Sequence, residues 1–468
     1  MQHRETATRL AVFAVFAAML APRVAAAQTT VAPDAEIRRI LVERIDAQHQ
    51  SVGIVVGVIE PSGRRVVSYG RLAKDDVRPL DGDTIFEIGS ITKVFTSLLL
   101  ADAVQRHDVA LTDPVSKYLP PPAKMPERGR AITLQDLATH TSGLPRLPGN
   151  MKPRDAANPY ADYSVEQLYQ FLSSYELTRD VGAQYEYSNL GGGLLGHVLA
   201  LRAQMGYPSL VRARVTGPLG MPNTAIALSP EMNARLATGH SAALQPVSNW
   251  DLPTLAGAGA LRSSTNDLLT FLAANLGYAP SPLAPAMAAM LDVRRPTGVD
   301  NLQIALGWHV LTTHGRQVVW HNGGTAGYRT FIGFDPAARA GVVVLSNAGT
   351  AAGPDDIGRH LLDPQLPLLA LTAQATHTEV AIDPKLYDAY AGRYQFAPAV
   401  LLTISRTDTH LFAQLTGQPA FEIFPESDSR FFLKVVDAQL TFETNAEGKA
   451  TAVVLHQNGR DQRATKIE

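Results

Sequence analysis

Apolar residues four apart, Ile37, Leu41 and Ile45, predict an amphipathic helix that begins at a capping Asp34. The β-forming runs Val52–Ile59 and Arg65–Tyr69 flank Pro61-Ser62-Gly63, which predicts a strand hairpin. Val94–Leu100 is an unbroken apolar run, and from there to about Pro296 the pattern is helical and loop-rich. Strands are expected again at Gln317–Trp320, Thr330–Phe334 and Val342–Ser346, with a helix near Asp356–Leu362. Strands, helices, then strands again predict an α/β fold of the α+β kind. One antiparallel sheet is flanked by helices, and a helical subdomain is inserted in the chain. A ligand site is expected in the cleft between them.

From Tyr390 the period changes to two. Gly392–Phe396, Val400–Ser405, His410–Leu415, Glu422–Phe424, Arg430–Val435, Gln439–Glu443, Ala452–Leu455 and Arg463–Ile467 alternate, with turn signals such as Gly417-Gln418-Pro419 between them. Such spacing predicts a small antiparallel β-barrel, either a packing appendage or a shaper of the cleft. The expected organisation is residues 28–372, a linker over 373–389, and a barrel over 390–468.

Residues 1–27 read differently. His3, Arg4 and Arg9 precede the apolar run Leu10–Ala21, and Ala25-Ala26-Ala27 offers a cleavage site, the pattern of a secretory signal peptide. The run is shorter than the roughly 20 residues a spanning helix needs. No membrane anchor is therefore expected after cleavage, and the expected location is secreted, in a bacterial periplasm. With 0 Cys the chain has no disulfide, and its 468 residues at 46% hydrophobic must supply the core instead. Lys+Arg 41 against Asp+Glu 43 leaves no basic excess for nucleic acid. G-x-x-x-x-G-K, H-E-x-x-H and G-x-S-x-G are absent, so no cofactor and no metal site are expected.

Three short motifs each occur once, in order: Ser90-Ile91-Thr92-Lys93, Tyr187-Ser188-Asn189 and His321-Asn322-Gly323. Together they point to serine acyl transfer. Residues three apart share a helix face, so Lys93 can reach the Ser90 hydroxyl. Ser90 starts the helix, which leaves its own N–H free for an oxyanion. A hydroxyl needs a base to become a nucleophile. Lys93 can serve if burial lowers its pKa, and Tyr187 if a cation favours its phenolate. Asn189 offers an acceptor for Lys93 and a donor for a substrate carbonyl. Val318–Tyr328 passes from β-formers into small residues, as a strand closely approached by substrate should. A backbone N–H near Gly324 would be the second oxyanion donor. His321 would face the substrate's acidic group, beside Asn322 and Gly323. Singly, each has a plain structural reading: Ser90 a cap, Tyr187 a core aromatic, Asn189 a turn residue before Gly191-Gly192-Gly193, His321 a satisfied strand histidine. Jointly, that reading needs three ordered coincidences.

Thr84–Ser90, Ile132–Pro145 (ITLQDLATHTSGLP), Pro218–Met221, Gly257–Phe271, Gly307-Trp308 and Val342–Asn347 resemble the serine β-lactamase and penicillin-binding superfamily, on its class C and soluble DD-peptidase branch. The tail is similar to the lipocalin-like domain attached to several of its peptidases and esterases. The resemblance implies Ser90 as nucleophile, Lys93 and Tyr187 as acid/base pair, Asn189 and His321 as substrate-binding residues, and Ser90 and Gly324 as oxyanion donors. It departs at the third motif, where class C β-lactamases usually carry Lys-Thr-Gly. The implied substrates are small molecules. A β-lactam leads narrowly over a D-amino-acid peptide or an ester, and the last alternative is a non-catalytic penicillin-binding sensor. Nothing in the sequence fixes the oligomeric state.

Overall fold

A computed structural model describes residues 31–371, 377–397, 400–407, 410–416, 420–436, 438–457 and 460–468. The expected signal peptide, residues 1–27, lies outside them. The first strands form the expected hairpin, β1 (Gly53–Glu60) with β2 (Gly63–Gly70). Two short strands, β3 (Ile85–Glu87) and β4 (Arg262–Ser264), make a separate pair. Then come β5 (Arg295–Pro296), β6 (Leu302–Ile304), β7 (His309–Thr313), β8 (Arg316–Gly324), β9 (Arg329–Asp335) and β10 (Ala340–Ser346). The main antiparallel sheet runs β2-β1-β10-β9-β8-β7-β6-β5.

Strand β1, GIVVGVIE, is buried along its whole length because both sheet faces are covered. Leu268, Leu269 and Leu272 of helix Thr265–Asn275 join the core on one face, with Phe95 and Leu98 of helix Thr92–Gln105. Ile37 and Leu41 join Ile357 and Leu361 in a second cluster with Val56, Val58 and Phe331. Gly57 is glycine for a reason: a Cβ there would lie 2.5 Å from Thr265 Cγ2, so the covering helix rests on bare backbone. The first helix runs Asp34–Val42 and continues as a π-turn to Ala47. Its N-cap is Pro33 rather than the expected Asp34, whose carboxylate is drawn into a 2.5 Å pair with Arg65 on β2.

The tail is a closed barrel of eight antiparallel strands: β11 (Gly392–Ala397), β12 (Val400–Thr407), β13 (His410–Leu415), β14 (Phe421–Pro425), β15 (Arg430–Leu433), β16 (Ala438–Thr444), β17 (Ala450–Gln457) and β18 (Arg460–Lys466). Its interior is filled by side chains including Tyr394, Leu411, Phe431, Phe442 and Val453. The helix Lys385–Tyr390, which begins in the span expected as linker, contributes Tyr387 and Tyr390 to that same core.

Candidate active site

Ser90 lies in a 3-10 turn, Gly89–Ile91, that leads into helix Thr92–Gln105. Gly89 has φ +50°, and a Cβ on it would sit 2.6 Å from the Gly324 nitrogen. The Ser90 turn and the end of β8 therefore meet backbone to backbone. Lys93 is only 3% exposed, with Nζ 3.0 Å from Ser90 Oγ, 2.9 Å from Asn189 Oδ1 and 2.7 Å from the Ala258 carbonyl. Burial, and next the Arg146 charge, hold the Lys93 amine well below the usual lysine range. Nζ thus has three acceptors around it, Ser90 Oγ, Asn189 Oδ1 and Ala258 O. Once one proton is lost, two N–H groups would serve Asn189 Oδ1 and Ala258 O and leave the lone pair toward the Ser90 hydroxyl.

Tyr187 precedes Ser188, which caps helix Asn189–Ala203 by accepting the Gly191 N–H at 2.8 Å and donating to Pro145 O at 2.7 Å. Asn189 and the glycines after it are thus helical, and Asn189 is not a turn residue. A Cβ on Gly192 would lie 2.9 Å from Lys93 Cε, and one on Gly196 2.9 Å from Gly257 Cα. The bare helix face admits the lysine stem and the Ala256–Ala258 segment that supplies its carbonyl partner. The Tyr187 hydroxyl bonds Ser90, and burial pushes its pKa above the ordinary phenol range, while the Ser90 bond and Arg146 act in the other direction. Beneath it, the His140 ring packs 4.5 Å from the Tyr187 ring. His140 Nδ1 accepts the Ser188 N–H at 3.2 Å, which places the proton of the neutral ring on Nε2.

Strand β8 pairs with β7 only as far as His309↔Trp320, whereas its pairing with β9 continues to Gly324↔Arg329. Residues 321–324 therefore carry one ladder edge that β7 leaves open. The surroundings of His321 favour its neutral ring. The residue is 0% exposed, and burial, with His309 and Lys93 nearby, holds its pKa well below the histidine range. Its Nδ1 lies 2.6 Å from Asn322 O, so Nδ1 carries the proton, and Nε2 is a buried acceptor without a partner. Asn322 points to the other sheet face, where Nδ2 donates to Asp355 Oδ2 at 2.5 Å. Gly323 packs on the Ser90 turn; a Cβ there would lie 2.0 Å from Ile88 O.

Four contributors to the site were not singled out in the sequence: His140, Ala258, Tyr160 and Arg146. Tyr160 Oη takes the Asn189 Nδ2 hydrogen at 3.3 Å. Arg146 is exposed, with its guanidinium 5.3 Å over the Tyr187 ring. His140 stands at φ +56°, a left-handed conformation rare for a side-chain-bearing residue, inside the ATHTSGLP segment. The available signals were that segment and the small-residue run around Ala258, but periodicity does not register a backbone carbonyl. Among the described residues no group of three His, Cys, Asp or Glu side chains converges as a metal set.

A sequence model of the Beta-lactamase family matches residues 38–365, and a domain of unknown function (DUF3471) matches 376–466. The D-alanyl-D-alanine-carboxypeptidase/endopeptidase AmpH of Escherichia coli (strain K12) is 33% identical over 313 residues, 63% of this chain and 79% of the relative. Penicillin-binding protein 4* of Bacillus subtilis (strain 168) is 26% identical over 451 residues, 92% of this chain and 98% of the relative. Among solved structures, a class C β-lactamase from Rhodobacter sphaeroides superposes with TM-score 0.58 at 26% identity, over 68% of this chain and 94% of that one. With the family match spanning most of its length, this chain belongs to the Beta-lactamase family and is a serine hydrolase of the β-lactamase and D-alanyl-carboxypeptidase type.

Proposed function

We propose that the chain hydrolyses amides through an acyl-enzyme on Ser90, with Lys93 as the base that activates it. The observation that carries this is the buried Lys93 amine, 3.0 Å from Ser90 Oγ and fixed by Asn189 and Ala258. Lys93 takes the hydroxyl proton as Oγ attacks the carbonyl carbon. The oxyanion is held by the N–H groups of Ser90 and Gly324. Tyr187, a neutral phenol bonded to Ser90, donates its proton to the departing amide nitrogen and recovers one through Lys93. Water then attacks the acyl carbon and releases Ser90. The open ladder edge of residues 321–324 suits a substrate amide laid alongside as an added strand, with the Asn189 amide opposite. The proposed setting is the bacterial periplasm, supported by the signal-peptide pattern in residues 1–27.

β-Lactam amides are the first substrate class, supported by the class C likeness. D-alanyl peptides are the second, and two observations favour them. His321 supplies no cation where Lys is usual in class C enzymes, and the relative aligned along 98% of its own length, tail included, is named a penicillin-binding protein. Both classes acylate Ser90, and deacylation separates them. Mass spectra of the protein over time with a penicillin and with a D-alanyl peptide should show one adduct, on Ser90. A penicillin adduct that clears within a turnover marks a β-lactamase; one that persists while the peptide turns over marks a peptidase. Ser90→Ala should lose activity by several orders of magnitude, and Lys93→Ala comparably, because residues acting as a unit fail together. Near wild-type turnover by Ser90→Ala would overturn the proposal.

A further inference from the structure

We propose that Arg146 is the residue that binds the substrate's carboxylate, the charge for which the third motif makes no provision. The assignment rests on the acyl-enzyme reading above and adds to it the group that selects anionic substrates. β-Lactams and D-alanyl peptides share a carboxylate close to the amide that is cleaved, so a site for either gains from a fixed cation beside Ser90.

The other nearby charges are committed. His321 is buried and neutral, and Asn322 is turned to Asp355. Lys93 faces Ser90, Asn189 and Ala258. Arg262 is paired with Glu87 at 3.1 Å, Arg179 with Glu186 at 2.5 Å, and Arg329 donates to the carbonyls of Thr325 and Tyr328. Arg146 differs. It is exposed, and among the described residues no carboxylate lies within ion-pair distance of it.

Its place is nonetheless fixed. The Arg146 carbonyl accepts the N–H groups of Asn189 and Leu190 at 3.0 and 3.1 Å, which ties it to the start of the helix that carries Asn189. Its guanidinium lies 5.3 Å over the Tyr187 ring, and the Tyr187 hydroxyl bonds Ser90. The charge reaches Lys93, His140, Tyr160, Tyr185 and Tyr187, the groups that surround the nucleophile. A planar guanidinium open to solvent on one side suits bidentate capture of a carboxylate. Capture also couples to the chemistry: neutralising Arg146 removes one of the two influences that depress the Lys93 amine, so Lys93 is a stronger base when the anionic substrate is seated.

The test compares Arg146→Gln and Arg146→Lys with the parent chain on matched substrates, a penicillin with its methyl ester and a D-alanyl peptide with its C-terminal amide. Arg146→Gln should lower the ratio of kcat/KM for the free acid over the uncharged form on the order of 10- to 100-fold, the range for a charged hydrogen bond, mainly through KM. Arg146→Lys should restore part of the ratio. Added salt should raise KM for the free acid in the parent and much less in Arg146→Gln. An equal loss on both substrate forms overturns the assignment and makes Arg146 a positioning residue for Tyr187; an unchanged ratio overturns it too. A neutral phosphonate that labels Ser90 runs in parallel. Ser90 labelled with the ratio unchanged removes Arg146 alone, whereas label on another residue in the parent removes the acyl-enzyme reading, and this assignment with it.

Discussion

His321 and Lys93 share one enclosed region, and burial drives both toward the neutral form. His309 shows the same effect, its pKa lowered by burial to about 4, with its ring stacked on Trp320 and 5.3 Å from that of His321. For a base whose folded pKa is depressed, the neutral state persists down through the range where a free histidine, near pH ~6.5, would charge. His321 therefore carries no charge for a substrate to lose as pH rises. KM for a carboxylated substrate should stay flat between about pH 6 and 8. A KM that climbs through about pH 6.5 for the free acid, and not for its ester, would return His321 to the binding site as an imidazolium. The sequence alone named Ser90, Lys93, Tyr187 and Asn189, because single-copy motifs mark them, and the structure brings these four together. Proton state was not legible. It depends on what surrounds a side chain, and residues distant in the chain, Ala258 and His140 among them, supply the surroundings.

At the scale of elements, glycine decides how close the parts of the site come. Gly323 belongs to β8, yet its missing side chain is what lets Ile88 and the Ser90 turn lie against the strand, with Thr330 Oγ1 also 2.4 Å from where a Cβ would be. Gly323→Ala sets a methyl against a backbone carbonyl that cannot rotate away. The strand and the Ser90 turn must then separate, and a displacement on the order of 1 Å at a reacting centre costs about 100-fold in rate. Gly323→Ala should therefore lose activity on that scale and 1–3 kcal/mol of stability, roughly the cost of overpacking, read from urea unfolding. Wild-type turnover would show that the two elements are not in register contact. Element types were largely legible: the barrel strands fall within a few residues of the alternating runs, since a half-buried strand displays its period directly. Strands β5 to β7 were missed because they are two to five residues long and partly polar, too short to show any period. The plain structural reading of Asn189 as a turn residue before Gly191-Gly192-Gly193 fails, because Asn189 opens a helix whose glycines pack against Lys93 and Leu255.

For the whole molecule, what matters is how the barrel bears on Ser90. The barrel core is a cluster of its own, drawn from residues 382–464, and helix Lys385–Tyr390 seals it from within the tail. The two parts touch at the loop after His240, where Ser241 Oγ donates to Lys434 O at 2.9 Å. That loop runs on to Asn249, 3.4 Å from Tyr328 Oη, and to Trp250, whose ring lies 5.4 Å from Tyr160, the hydroxyl partner of Asn189. Separate cores predict separate folding, while the loop predicts that the tail braces one wall of the substrate site. A chain ended at Leu371 should remain soluble, unfold in one cooperative step and still take a phosphonate on Ser90. Its preference between a penicillin and a D-alanyl peptide should shift through KM, because the loop bears on Tyr160 and, through it, on Asn189, the residue proposed to bind the substrate amide, and not on the Ser90 hydroxyl. Ser241→Ala in the full chain should shift preference in the same direction by less, since it removes one hydrogen bond and leaves the barrel in place. Aggregation of the shortened chain would show that the first core depends on the tail, and an unaltered preference would make the barrel an appendage with no part in substrate choice.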